Sequence, residues 1–112
     1  MDPLHTLSVT ERQALQDLIK VVREKWPSAK FKLFGSKADG TADPESDLDL
    51  LVTLACPISE EIRRQIIHKA FDVNLTYESN ISVIVVSEAE WETPPLSILP
   101  FHASVEEGGI SL

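Results

Sequence analysis

Gly35-Ser36-Lys37-Ala38-Asp39-Gly40-Thr41-Ala42-Asp43-Pro44-Glu45-Ser46-Asp47-Leu48-Asp49 is the stretch on which the reading of this chain turns. Before it, Phe31 and Leu33 alternate with Lys30 and Lys32, which predicts a strand ending at Gly35. At its end, Asp47-Leu48-Asp49-Leu50-Leu51-Val52-Thr53-Leu54 predicts a second strand. Side chains two apart in a strand share a face, so Asp47 and Asp49 should point one way while Leu48 and Leu50 enter the core. Neighbouring carboxylates repel, and one resists ionising unless a cation sits between them. A hard divalent ion such as Mg2+ relieves that conflict, taking a few carboxylates together with phosphate oxygens. Alone, an Asp-x-Asp pair is more often the mark of an exposed strand face.

The start of the stretch carries a second signal. Gly35 closes a strand, and Ser36 can cap a short helix beginning near Lys37. Such a turn offers free backbone amides and a positive dipole end, which suit phosphate oxygens, and the Ser36 hydroxyl adds a further hydrogen bond. A lone Gly-Ser marks many ordinary turns. No P-loop pattern occurs, and residues 43–49 lack the glycine and terminal glutamate of an EF-hand loop. A phosphate cradle after one strand and paired acids on the next is a stronger signal than either half.

Outward from this centre the chain alternates helix and strand. Ser8-Val9-Thr10-Glu11 has capping-box form, and Leu15, Leu18, Ile19, Val22 and Trp26 recur at helical spacing up to Pro27. A second helix is expected after Pro57, with Ile62, Ile66, Ile67, Ala70 and Phe71 inward. Ile81 to Val86 is a β-branched run typical of a buried strand. Ser87-Glu88-Ala89-Glu90 should start a short helical turn, and Pro94, Pro95 and Pro100 leave room for only a short helix before Glu107. Gly108-Gly109 ends it, and Ile110-Ser111-Leu112 suits an edge strand. The order predicts a small α/β (α+β) fold, a mixed β-sheet flanked by helices.

The 112 residues suit a single domain spanning 1–112, and the one cysteine, Cys56, forms no internal disulfide. The start lacks the basic segment and apolar run of a signal peptide, and no apolar run approaches a membrane span. A cytoplasmic location with no membrane partner is therefore expected. Eighteen acids against ten bases give a net charge of −8, which disfavours direct nucleic-acid binding. After Lys69 no Lys or Arg occurs while seven acids follow, either a solubilising face, or a surface for a basic partner, or carboxylates that bind cations. His5, His68 and His102 show no metal-ligand spacing. Leu96, Ile98, Leu99 and Phe101 read as core, or as an apolar contact for a partner.

The pattern Gly35-Ser36-x-Ala38-x-Gly40-Thr41-Ala42-x-Pro44-x-Ser46-Asp47-Leu48-Asp49-Leu50-Leu51-Val52 resembles the signature of the minimal nucleotidyltransferases of the polymerase β-like superfamily. The resemblance is dense over residues 31–54. It implies the nucleotidyltransferase fold, with Gly35, Ser36 and Lys37 holding the phosphates of ATP. It further implies that Asp47 and Asp49 ligate Mg2+ as the catalytic acids, and that AMP passes to a hydroxyl with release of pyrophosphate. Such proteins often serve as antitoxins to HEPN-domain ribonuclease toxins and can adenylylate a toxin tyrosine, so ATP and a HEPN-domain protein are the implied partners. Two positions depart from the pattern: Asp39 stands where relatives are often basic, and Ser82 aligns with the usual third carboxylate. Asp72, Glu78 or Glu88 could substitute for that carboxylate only in a shifted register. The alternative is a catalytically weakened module of the same fold that neutralises its partner by occlusion.

Overall fold

The computed structural model describes residues 7–35 and 47–112. His5, Asp39 and the expected cradle at Ser36 and Lys37 lie outside the described residues. Helix α1, Val9–Lys25, opens with the capping box expected of Ser8 and Glu11: the Glu11 amide donates to Ser8 Oγ at 3.0 Å and the Ser8 amide to Glu11 Oε1 at 2.9 Å. Strands β1, Lys30–Phe34, and β2, Leu48–Leu54, come next, then helix α2, Glu60–Tyr77, and strand β3, Ile81–Ser87. A short helix α3, Glu88–Trp91, and a 3-10 turn, Leu96–Ile98, lead into helix α4, Pro100–Gly108. The two-residue strand β4, Ile110–Ser111, comes last.

The four strands run in the order β3-β2-β1-β4. β1 pairs antiparallel with β2 and β4, whereas β2 and β3 are parallel. A parallel pair needs a long crossover, which α2 supplies. The result is the expected mixed sheet with flanking helices. No helix among the described residues is long and apolar enough to cross a membrane.

Strand alternation gives the sheet two unlike faces. On one, Phe31, Leu33, Leu48, Leu50, Val52, Ile81 and Val85 are buried with Ala14, Leu15, Leu18 and Val22 of α1 and Ile66, Ala70 and Val73 of α2. On the other, Leu51 and Val86 are covered by Trp91 of α3 and Val105 of α4. Phe34 and Phe101 complete this smaller cluster, their rings edge to face at 5.3 Å. Cys56 packs half-buried against the larger core.

Three expectations about the core are corrected. β3, expected to be buried, is an edge strand on which Ser82 and Ile84 are exposed. Ile67 and Phe71, expected inward on α2, are 46% and 58% exposed. The helix contacts α1 and the edge strand β3, and Ile66, Ala70 and Val73 fill that contact, leaving the neighbouring stripe in solvent. Among the apolar residues near the prolines, Leu96 and Phe101 pack on the second cluster, whereas Ile98 and Leu99 are exposed.

Candidate functional site

Asp49 lies in β2 opposite Phe34 of β1, so the turn leaving β1 is brought against its carboxylate. Gly35 occupies that turn with φ +79°, and a Cβ on it would stand 2.5 Å from Asp49 Oδ2. Both facts demand glycine: an L side chain is strained at that φ, and the carboxylate already fills the space. Leu48 and Leu50 are buried on the face covered by α1 and α2, as their alternation predicts. Asp49 is therefore on the opposite face, partly buried, and Asp47 just precedes the strand in solvent.

The two acids act on each other. The Asp49 carboxyl is held above its ordinary value, first by burial and then by the Asp47 charge. That is the conflict the sequence pattern predicts, and the donor set is all oxygen, which suits a hard dication. The structure thus brings together Gly35, Asp47 and Asp49 of the expected site residues; Ser36 and Lys37 are not among the residues it describes.

The register of β3 fixes what stands beside them. Asp49 pairs with Ser82, so the residue next to it on the same face is a hydroxyl. Asp47, Asn80 and Ser82 line a shallow recess of about 160 Å³. The other acids considered for a third position are engaged elsewhere or exposed. Glu88 comes after the far end of β3 and pairs with Lys30 at 3.3 Å. Asp72 pairs with His68 at 3.4 Å, and Glu78 is the exposed left-handed cap of α2.

Asn74 sets the start of β3 and has no signal in the sequence beyond its place near a helix end. Its Oδ1 accepts from the Ile81 amide at 2.9 Å and from Ser79 Oγ at 2.9 Å, while its Nδ2 donates to the Ile81 carbonyl at 3.0 Å. The Leu48 amide then donates to the Asn80 carbonyl at 2.9 Å. This clamp places Ser82 and the acid-bearing end of β2 side by side.

A second polar cluster draws on two of the acids after Lys69, whose convergence with a histidine the sequence spacing does not indicate. Glu92, which caps α3, and His102 and Glu106 of α4 bring one ligand-type atom each to within 4.8 Å of one another. Trp91 Nε1 donates to Glu106 Oε1 at 2.5 Å, and Lys32 Nζ is 3.6 Å from Glu106 Oε2. The Trp91 bond is the main reason that the Glu106 carboxyl lies below its usual range. Trp91, Glu92 and Glu106 also line a cavity of about 420 Å³ that none of Gly35, Asp47 and Asp49 borders. Sequence spacing hides this group, because Glu92 reaches α4 only through the path of the proline-rich segment.

Comparison with known proteins bears on the whole. The profile of the nucleotidyltransferase domain family matches residues 15–106. No curated protein matches the chain. Among solved structures, a toxin–antitoxin crystallised with AMP-PNP superposes with a TM-score of 0.57 at 21% identity, over 86% of this chain and 69% of its own. A double aspartate-to-glutamate mutant of the toxin–antitoxin MntA-HpeT gives a TM-score of 0.56 at 19% identity, over 86% and 69%. A tyrosine-to-alanine mutant of the same pair gives 0.56 at 22%, over 88% and 70%. At these identities the likeness is one of fold, and it agrees with the mixed sheet and helices described above.

Proposed function

The chain belongs to the nucleotidyltransferase domain family, and from that premise we propose that it transfers AMP from ATP to a hydroxyl of a macromolecular acceptor. The observation that carries this reading is the pairing of Asp47 and Asp49, mutually repelling, against the close backbone approach at Gly35. In this reading residues 1–112 act as one minimal domain in the cytoplasm. Gly35, Ser36 and Lys37 hold the triphosphate, and Asp47 and Asp49 hold Mg2+. Held by Asp47 and Asp49, Mg2+ would supply positive charge that offsets the negative charge of the phosphates during the displacement. The acceptor oxygen bonds to the α-phosphorus, the α–β bridge breaks, pyrophosphate leaves with the bonding pair, and the hydroxyl proton passes to solvent.

The acceptor in this proposal is a HEPN-domain toxin, with this chain as its antitoxin. Support comes from the toxin–antitoxin fold neighbours and from the acid-rich region after Lys69, which is complementary to a basic RNA-cleaving partner. Isotopically labelled protein titrated with ATP, with and without Mg2+, tests the nucleotide site. Magnesium-dependent amide shifts at Gly35, Asp47 and Asp49, absent in Asp47→Asn/Asp49→Asn, are the expected result. Unchanged spectra at millimolar Mg-ATP count against transfer by the isolated chain.

One observation favours a second reading. Ser82 is a poor Mg2+ ligand and stands beside Asp49, so the fold could serve as a non-catalytic module that occludes its partner. Asp49→Asn separates the two: it abolishes protection against the toxin by an enzyme and leaves protection by an occluder intact.

A further inference from the structure

The geometry points to a second cation site, for a transition-metal dication such as Zn2+, formed by Glu92, His102 and Glu106. It is independent of Asp47 and Asp49. His102 and Glu106 are one turn apart on α4 and so share a side of the helix, and Glu92 meets them from the end of α3, with the three ligand-type atoms within 4.8 Å of one another. Convergent acids alone would mean little. The distinguishing fact is His102 Nε2, which is closed off from solvent and has no hydrogen-bond partner. A buried ring nitrogen left without a partner is costly, and a metal supplies one.

The surroundings orient these groups as an outer shell does. The Trp91 indole N–H holds Glu106 Oε1 at 2.5 Å, leaving Oε2 for a metal. The Trp91 ring also stacks on the His102 imidazole at 4.3 Å and 30°, which fixes the plane of the ring. An imidazole with two carboxylates favours a borderline ion over Mg2+. Tetrahedral Zn2+ with bonds near 2.1 Å sets its ligands about 3.4 Å apart. Glu92 is exposed, so rotation of its side chain can close the remaining gap while Trp91 keeps Glu106 in place. The competing Lys32–Glu106 contact, at 3.6 Å and partly exposed, is weak. Because Glu92 and Glu106 border the 420 Å³ cavity, the ion keeps room for water or a further ligand. Bound there, it ties α3 to α4 over Leu51 and Val86.

Metal-stripped protein is titrated with Zn2+ by calorimetry and with Co2+ by visible absorption. One equivalent should bind, with the intense Co2+ bands of a four-coordinate site. Glu92→Gln should weaken Zn2+ binding at least about tenfold, Lys32→Met should tighten it, and Asp47→Asn/Asp49→Asn should leave it unchanged. Absence of Zn2+ heat and Co2+ bands in the wild type overturns the assignment. Binding indifferent to Glu92→Gln, or lost in the double aspartate variant, overturns it too. Glu92 is exposed, so its substitution tests the site without endangering the fold, and far-ultraviolet circular dichroism verifies this.

Discussion

Ser82 and Asp49 are direct neighbours across the parallel β2–β3 pair, side chains on the same face of the sheet. A carboxylate at 82 would therefore join Asp47 and Asp49. Like charges placed opposite each other in a sheet cost about 0.2–1 kcal/mol. Ser82→Asp should lower the melting temperature in EDTA and recover that loss in Mg2+, with Mg2+ affinity raised by about an order of magnitude. Thermal melts and calorimetric Mg2+ titration check both effects. Unchanged melting and unchanged affinity would show that residues 49 and 82 do not share a site.

Gly35→Ala meets two obstacles, the positive φ and the Asp49 carboxylate 2.5 Å from the new methyl. The loss should be about 1–3 kcal/mol, read from denaturant midpoints. Asp49→Ala in the same chain removes the contact but not the strain. The double-mutant cycle should show a favourable coupling of at least about 0.5 kcal/mol.

Asp49 makes a pH signature of its own. Burial and Asp47 raise its folded-state pKa, so protonation favours the fold. The contribution is fully present below the unfolded value and is lost as pH rises through the folded one. At neutral pH the ionised group opposes folding, and Asp49→Asn should melt above the wild type. That gap should close as pH falls through the ordinary carboxylate range. Glu106, whose pKa is lowered, runs the other way: its contribution is present above its unfolded value and lost as pH falls through the folded one. Comparing wild type with Asp49→Asn cancels it.

Much of the fold is legible in the sequence because its signals are local. The Ser8–Glu11 box, the Phe31/Leu33 alternation and the buried Leu48 and Leu50 depend on neighbours in sequence, and the structure repeats them. Ser82 is singled out by the family resemblance rather than by spacing, and the register of β3 sets it beside Asp49. The misjudged residues depend on how many elements crowd a given side. Ile67 and Phe71 are apolar at helical spacing, yet α2 rests over the sheet's edge and has partners on one side only. The role of His102 is hidden for a related reason, since Glu92 and Trp91 meet it only after the chain has turned through Pro94, Pro95 and Pro100.

Asn74 shows the same dependence on tertiary placement. Two of its three hydrogen bonds tie the last turn of α2 to Ile81, the first residue of β3, and the third holds Ser79 in the connection between them. Asn74→Ala should cost about 2 kcal/mol, and Asn74→Asp, which keeps the acceptors but loses the donor to the Ile81 carbonyl, should cost less. Chemical denaturation ranks the three proteins. Both variants should also weaken Mg2+ binding at Asp47, because the recess it shares with Ser82 loses its fixed wall.

Strand β2 has a hydrogen-bonded neighbour along each edge, whereas β3 and β4 each have one. Its amides can exchange with deuterium only when the sheet itself opens, so they should number among the slowest in the molecule. Asp49 should thereby belong, with β1, to the part of the sheet that opens late. Mild destabilisation, by heat or denaturant, should fray β4 and the α3–α4 layer while the acid-bearing strand keeps its protection.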